Sequence, residues 1–272
     1  MEDLRVLEGK VVVVTGGTGI LGYSMNKALA KAGASVVIIG RNGDTANSRA
    51  EEINKEGGEA IGISADVLNE EQLNAAKKRI LDQYGKIDGL VNAAGGNMPG
   101  AVVQPEDDLF SLDMSALQQV MQLNLFGTLL PVQIFGRAIA DTSKAGSIVN
   151  ISSVSAKTVL TKVLGYSLAK SAIESYTKWF AVELAKRHQG LIRMNAIVPG
   201  FFLTEQNRSL LTNTDGTYTK RGNDVINNTP LGRFGEPKEL NASLTWLLSE
   251  QSSFVVGSTV VVDGGFTLFS GV

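Results

Sequence analysis

The sequence predicts a doubly wound α/β fold. One domain, residues 1–272, would carry a seven-stranded parallel sheet with helices on both faces and a lid after the sixth strand. Two observations carry this reading. Short β-branched runs alternate with helix-patterned segments along the chain, and those runs are nearly continuously apolar. Strands buried on both faces of a parallel sheet read this way, and strand–helix alternation is what winds such a sheet. A third observation is a glycine-rich turn placed directly after the first run and before a helical pattern.

The first strand is read at 10–15, "KVVVVT", and runs into "TGGTGILG", where Gly16, Gly19 and Gly22 are spaced three apart. Glycines here permit a tight turn and let the backbone approach a pyrophosphate, whose charge favours a helix N-terminus. Thr18 and Ile20 share that turn, which makes the fold a dinucleotide-binding Rossmann type. A helix from Ile20 to about Ala32 leads to the second strand at 34–40. An acid at the end of that strand would bond a ribose 2′-hydroxyl, whereas a nearby arginine accommodates a 2′-phosphate. Gly40 stands where the acid is expected and Arg41 and Asn42 follow, so the reading favours NADP(H) over NAD(H). Asp44 comes four residues late and reads as the cap of the next helix.

The third strand, 59–66, ends on Asp66, followed by Val67; a carboxylate there can accept from an adenine amino group. The fourth, 88–95, ends in Asn92, Ala93, Ala94 and Gly95, small residues that let the chain pass close to a ribose. The fifth, 146–153, ends on Ser153; the sixth, 192–200, ends on Pro199 and Gly200; the seventh is read at 258–265. Helical spacing fills 69–84 and 167–188. Residues 201–235, rich in Asn, Thr and Gly, break the rhythm. Following a strand end, they read as a lid over a site at the carboxyl ends of the strands.

Composition removes several classes of chemistry. With 272 residues, 43% apolar and 19% charged, the chain can bury a sizeable core. The net charge of −2 supports neither a nucleic-acid nor a membrane-surface partner. No cysteine is present, which excludes disulfides and thiolate catalysis. The single histidine, His188, sits among Lys186, Arg187 and Gly190, as at a helix C-terminus, and no metal site is expected. The start lacks an apolar signal region, and the longest unbroken apolar runs are four or five residues. The expectation is a cytoplasmic protein with a small-molecule substrate.

Tyr166 and Lys170, in "YSLAK", are four residues apart and would share one helix face. A lysine beside a tyrosine favours the phenolate and would bring its pKa, ordinarily near ~10, toward neutrality. The same pair also occurs on ordinary amphipathic helices, so the spacing alone leaves both readings open.

The ordered set decides between them. "TGGTGILG", "NAAG", Asn124 in "LNLFG", Ser153 in "ISS", "YSLAK", "PGFFLT" at 199–204, "PLGRFGEP" at 230–237 and "VDGG" at 262–265 together resemble the short-chain dehydrogenase/reductase family, over about residues 8–265. The usual glycine motif of that family reads TGxxxGxG; here Ile20 takes the middle glycine's place and Gly19 comes one position earlier. The resemblance implies that Tyr166 exchanges a proton with the substrate oxygen, Lys170 lowers its pKa and holds the nicotinamide ribose, and Ser153 bonds the same oxygen. It implies that Asn124 holds a water in a proton relay, and that Phe202 and Thr204 flank the nicotinamide, Thr204 bonding its carboxamide. It also implies a homotetramer built through helices around 115–140 and 164–188. Residues 95–101, the lid and the C-terminal tail are most similar to a sugar-acid branch acting on D-mannonate or fructuronate. A polar lid suits a polyhydroxylated acid, and Asn97 with Arg208 is the expected carboxylate-binding pair; Lys157, Lys162, Lys220, Arg221 and Arg233 are the other cations in reach. Reduction of another carbonyl, such as a polyol or 3-oxoacyl thioester, and an idle nucleotide sensor are the alternatives.

Overall fold

The computed structural model describes residues 5–271; the ends of the expected domain, residues 1–4 and 272, lie outside the described residues. Seven strands form one all-parallel sheet: β1 Val11–Thr15, β2 Ser35–Gly40, β3 Glu59–Ser64, β4 Gly89–Asn92, β5 Gly146–Ile151, β6 Ile192–Pro199 and β7 Thr259–Val262. Their order is β3-β2-β1-β4-β5-β6-β7. Thr15 at the end of β1 lies beside Ile39 on one side and Asn92 on the other. The winding direction reverses between β1 and β4, so the crevice for a dinucleotide opens there, as the strand series predicts.

Apolar side chains alternate between the two faces of these strands, and each face is covered. Val12, Val14 and Ile38 pack against Met25 and Leu29 of α1 (Ile20–Lys31) and Leu244 and Leu247 of α9 (Asn241–Leu248). Val13, Ile39 and Leu90 meet Leu73 and Ile80 of α3 (Glu70–Tyr84), together with Phe135. Fully burying one such side chain contributes roughly 1.5–3 kcal/mol before the entropy of ordering it. Helix α2 (Gly43–Lys55) is capped by Asn42, whose side-chain oxygen accepts from Thr45 N at 2.9 Å. This corrects the expectation for Asp44, which lies in the first turn.

Residues 114–143 form one helical run. It contains α4 (Met114–Met121) and α5 (Gly127–Pro131), joined and continued by π-turns at Gln122–Phe126, Val132–Gly136 and Ile139–Ser143. By length and composition alone this run could cross a membrane, and half of its most apolar stretch is buried inside the fold. Counting only unbroken apolar stretches misses it. In the fold its Val132, Ile134 and Ile139 sit in the core on the sheet. Beside it runs α6 (Leu164–Arg187), which starts three residues before the expected 167. Met114, Phe126, Leu164, Leu168, Trp179 and Val182 of these helices stay exposed.

The segment after β6 folds on its own small core. Its α7 (Glu205–Leu211) and α8 (Lys220–Asn227) bury Leu211, Val225 and Phe234 together. The two ends of the segment meet. Phe202 bridges to Gly235, and Gly235 N donates to Phe201 O at 2.9 Å. A Cβ on Gly235 would stand 2.5 Å from the Phe202 ring, so only glycine fits this neck.

Candidate active site

Two adjoining cavities occupy the carboxyl ends of the strands. A cleft of about 470 Å³ lies over β1, β2 and β4, and a second of about 270 Å³ lies over β5 and β6 beneath the lid. They share Leu21, Ala93, Gly95 and Thr204 in their walls, so a molecule in one borders a molecule in the other.

The turn after β1 explains the first cleft. Gly16 has φ +65°, a conformation that L side chains rarely adopt, and a Cβ on it would lie 2.6 Å from Ala94 N. A Cβ on Gly22 would lie 2.3 Å from Gly16 O. Gly19 differs: its φ is −75°, it is exposed, and its Cβ would meet nothing closer than 3.5 Å. Two glycines therefore let the turn close, while the third keeps the cleft floor bare. Ile20 begins α1 and lines the cleft, as do Thr18 and Gly22. The displaced glycine spacing thus leaves the strand–turn–helix cradle intact.

Arg41, Asp66 and Val67 line the far end of this cleft. A Cβ on Gly40 would lie 2.6 Å from the Thr18 side chain, which fills the space an acid would need. Asp66 accepts from Leu68 N at 2.9 Å, while Asn69 caps α3. Ala93, Ala94 and Gly95 line the cleft, but two expected residues do not. Asn42 is occupied capping α2. Asn92 is buried between strands, where its Nδ2 donates to Asn150 Oδ1 at 2.9 Å. Sequence reading also missed Gln119 and Gln122, one helical turn apart, which line the cleft; their spacing was the available signal.

Ser153, Tyr166 and Lys170 come together in the second cavity. Ser153 ends the loop after β5 and hydrogen-bonds the Tyr166 hydroxyl. Tyr166 and Lys170 are neighbours on the first turns of α6, with Lys170 Nζ 5.4 Å from the centre of the Tyr166 ring. Lys170 Nζ donates to Ile151 O at 2.8 Å. Pro199, Gly200 and Phe202 complete the wall, and Thr204 caps α7 while facing both cavities. The Tyr166 pKa departs from expectation. Burial pushes the phenol up, and the Ser153 hydrogen bond only partly opposes this. The ammonium is aimed at the Ile151 carbonyl, so the lowering expected from the spacing is not what the chain alone gives.

Lys170 is itself buried, and desolvation brings its pKa down to about 8. Charging it costs more in the folded chain than in the unfolded one, where it titrates near its ordinary value. That cost is present in full below about 8 and fades as pH rises toward the unfolded value. Between pH ~7 and ~9.5 the cofactor-free protein should therefore gain ~2 kcal/mol of stability from this group. Urea unfolding across that window measures it. Lys170→Met should lack the rise; an identical rise in the variant would assign it to another group.

Asn124, in the first π-turn, is fully buried. Its Nδ2 donates to Gly96 O at 2.7 Å and Val120 O at 2.9 Å, and its Oδ1 accepts from Gly96 N at 3.0 Å. Both N–H groups of its amide are thus committed to carbonyls, and a relay water would be held by oxygen. The amide pins the 95–97 loop onto the helix. Gly95 follows from this, since a Cβ there would lie 2.6 Å from Asn124 Oδ1.

The expected substrate residues separate. Asn97 lines the second cavity, its Oδ1 buried without a partner. Arg208 does not line it; it is exposed on the outer side of α7. Arg221, from the first turn of α8, lines it instead. The lid's polarity is also redistributed. Phe201, Phe202, Leu210 and Leu211 face the cavity, whereas Asn213, Thr214, Asp215 and Thr217 are exposed.

Residues 17–267 match the family model described as enoyl-(acyl carrier protein) reductase. The chain belongs to the short-chain dehydrogenase/reductase family. Over 98% of both chains it is 42% identical to the uncharacterized oxidoreductase UxuB of Bacillus subtilis. A solved structure of a candidate D-mannonate oxidoreductase from Haemophilus influenza with bound NAD is 40% identical, with a TM-score of 0.89 over 98% of each chain. A gluconate 5-dehydrogenase from Burkholderia cenocepacia, solved with NADP and tartrate, is 31% identical with a TM-score of 0.85, again over 98% of each. The chain is thus an NAD(P)-dependent oxidoreductase, and its bare-glycine cradle at Gly16–Gly22 fits a dinucleotide pyrophosphate.

Proposed function

We propose that this oxidoreductase transfers hydride between a nicotinamide cofactor and a carbonyl or hydroxyl of a sugar acid of the D-mannonate/fructuronate type. The observation that supports it is the shared wall of the two cavities, which sets Tyr166 and Ser153 beside the end of the nucleotide cleft. The nicotinamide, when bound, supplies or accepts the hydride. Tyr166 Oη gives its proton to the substrate oxygen in reduction and takes one back in oxidation. Burial keeps the phenol protonated near neutral pH, which suits the acid role. Ser153 bonds the same oxygen and steadies the charge that develops there. Lys170 holds the ribose and keeps a positive charge behind the ring below about 8. Asn97 offers its amide to a substrate hydroxyl, and Thr204 holds the carboxamide. Likeness to the candidate D-mannonate oxidoreductase supports a sugar acid. A panel of sugar acids and their keto forms, followed by NADPH and NADH absorbance, tests the reading; no turnover of any of them ends it.

A second reading has its own observation. Leu160, Val163, Leu210 and Leu211 give the cavity an apolar flank, which suits a 3-oxoacyl thioester. Turnover of acetoacetyl thioesters in preference to every sugar acid would establish it.

We further propose NADP(H) as the preferred cofactor, on Arg41 at the cleft rim and on the space at Gly40 taken by Thr18. Arg41→Asp should weaken NADPH use and improve NADH use, by setting a carboxylate against the 2′-phosphate. The ratio of the two kcat/KM values reads this, and an unmoved ratio would show that Arg41 is not the selector. The exposed apolar residues of α4 and α6 support assembly through those helices as a tetramer.

A further inference from the structure

We infer that Arg221 is the receptor for the substrate's carboxylate, so that an acid enters with its charged end toward α8 and its reacting carbon toward Tyr166. This rests on the sugar-acid reading above and names the residue that makes the site prefer an acid.

The walls of the second cavity carry two cations, Lys170 and Arg221, and no Asp or Glu among the described residues. In a chain of net charge −2 the substrate cavity is thus locally positive. Lys170 is held by the Ile151 carbonyl at 2.8 Å beside the tyrosine. Arg221 is half-buried, and its Nη2 donates to Thr161 O at 3.4 Å, which is long. Among the described residues it has no carboxylate partner.

The other cations of the region are committed elsewhere. Lys157 Nζ lies 2.6 Å from the buried Glu174 and also bonds Thr259. Lys162 bonds Gln104 at 3.0 Å, and Arg233 grips Glu239 through two nitrogens. Arg208 and Lys220 do not line the cavity. A guanidinium that is partly desolvated, turned into an acid-free cavity and left without a counter-ion matches a carboxylate's two oxygens in a forked geometry.

Calorimetry on the NADP⁺-loaded enzyme tests this, with D-mannonate and D-gluconate as acids and D-mannitol as the neutral counterpart. Arg221→Met should weaken acid binding ~10- to 100-fold, the range of one charge-assisted bond, and leave mannitol within about threefold. Arg221→Lys should recover part of the loss, and Arg208→Ala should behave as wild type. Cofactor affinity of each variant reports that the fold is intact. The inference falls if wild type binds the acids no tighter than mannitol, if Arg221→Met weakens both alike, or if Arg208→Ala shows the selective loss. Absorbance assays on the same samples separate the two readings. Acids held through Arg221 but never oxidised would overturn the proposed reaction and keep the receptor, whereas acids oxidised equally by Arg221→Met would overturn the receptor alone.

Discussion

Tyr166→Phe should abolish most turnover while leaving the cofactor bound. The ring packs beside Met98, Ala101, Ala116 and Val120, and phenylalanine keeps that packing. What disappears is the hydroxyl that Ser153 holds at the cavity wall. Removing a positioned general acid commonly costs ~10²–10⁴ in rate. Fluorescence titration with NADPH should give an affinity near wild type, and kcat should carry the loss. A variant within about threefold of wild-type kcat would take Tyr166 out of the mechanism, since binding effects alone do not reach the expected range. The raised pKa adds a direction: reduction uses the protonated phenol already present at neutral pH, so the oxidation rate should climb with pH more steeply than the reduction rate.

The second large effect comes from one methyl group in two places. Gly16→Ala should destabilise the fold by roughly 2–4 kcal/mol, because the left-handed backbone and the overpacking each add a cost. The clash is with backbone, Ala94 N at 2.6 Å, so no side-chain rotation relieves it. The floor of the nucleotide cleft and the 93–95 segment must then separate, and cofactor affinity falls with them. Gly19→Ala should change stability by no more than ~1 kcal/mol, since the backbone there is ordinary and the nearest atom is at 3.5 Å. It should still weaken the cofactor, by putting a methyl on the cleft floor. Thermal unfolding with and without NADPH reads both variants. Equal destabilisation by the two would mean that the turn is not closed by the contact between Gly16 and Ala94.

Much of the fold is legible because its signals are local. Unbroken β-branched runs such as Val11–Val14, bounded by turn residues, fit strands covered on both faces, and a turn that bans side chains carries glycine. The four-residue interval from Tyr166 to Lys170 is likewise a helix property. What the interval cannot show is where the lysine head goes. The β5 carbonyl of Ile151 takes it, and that carbonyl is close only in the folded sheet. Arg208 illustrates the same limit. Four residues past Thr204 places it near the site along the chain, yet one turn of α7 faces it outward, and Arg221, farther on, comes back from α8 to line the cavity. The lid's composition misleads for a related reason. Most of its Asn and Thr residues satisfy turns and solvent, and Phe201, Phe202, Leu210 and Leu211 face the cavity alongside Thr204, Asn207 and Arg221. Asn42 and Asp44 are both acceptable caps by residue type; the backbone alone chooses the first.

The neck where Phe202 meets Gly235 has a wider consequence. Because the chain leaves and re-enters at nearly the same point, the loop is closed at its base, and between those ends it also touches the rest of the fold through Arg221 to Thr161 O and Leu231 N to Gly264 O. Lengthening such a loop adds a closure entropy that grows only with the logarithm of its length. The exposed stretch 213–217 can therefore be lengthened without displacing Thr204, which faces both cavities.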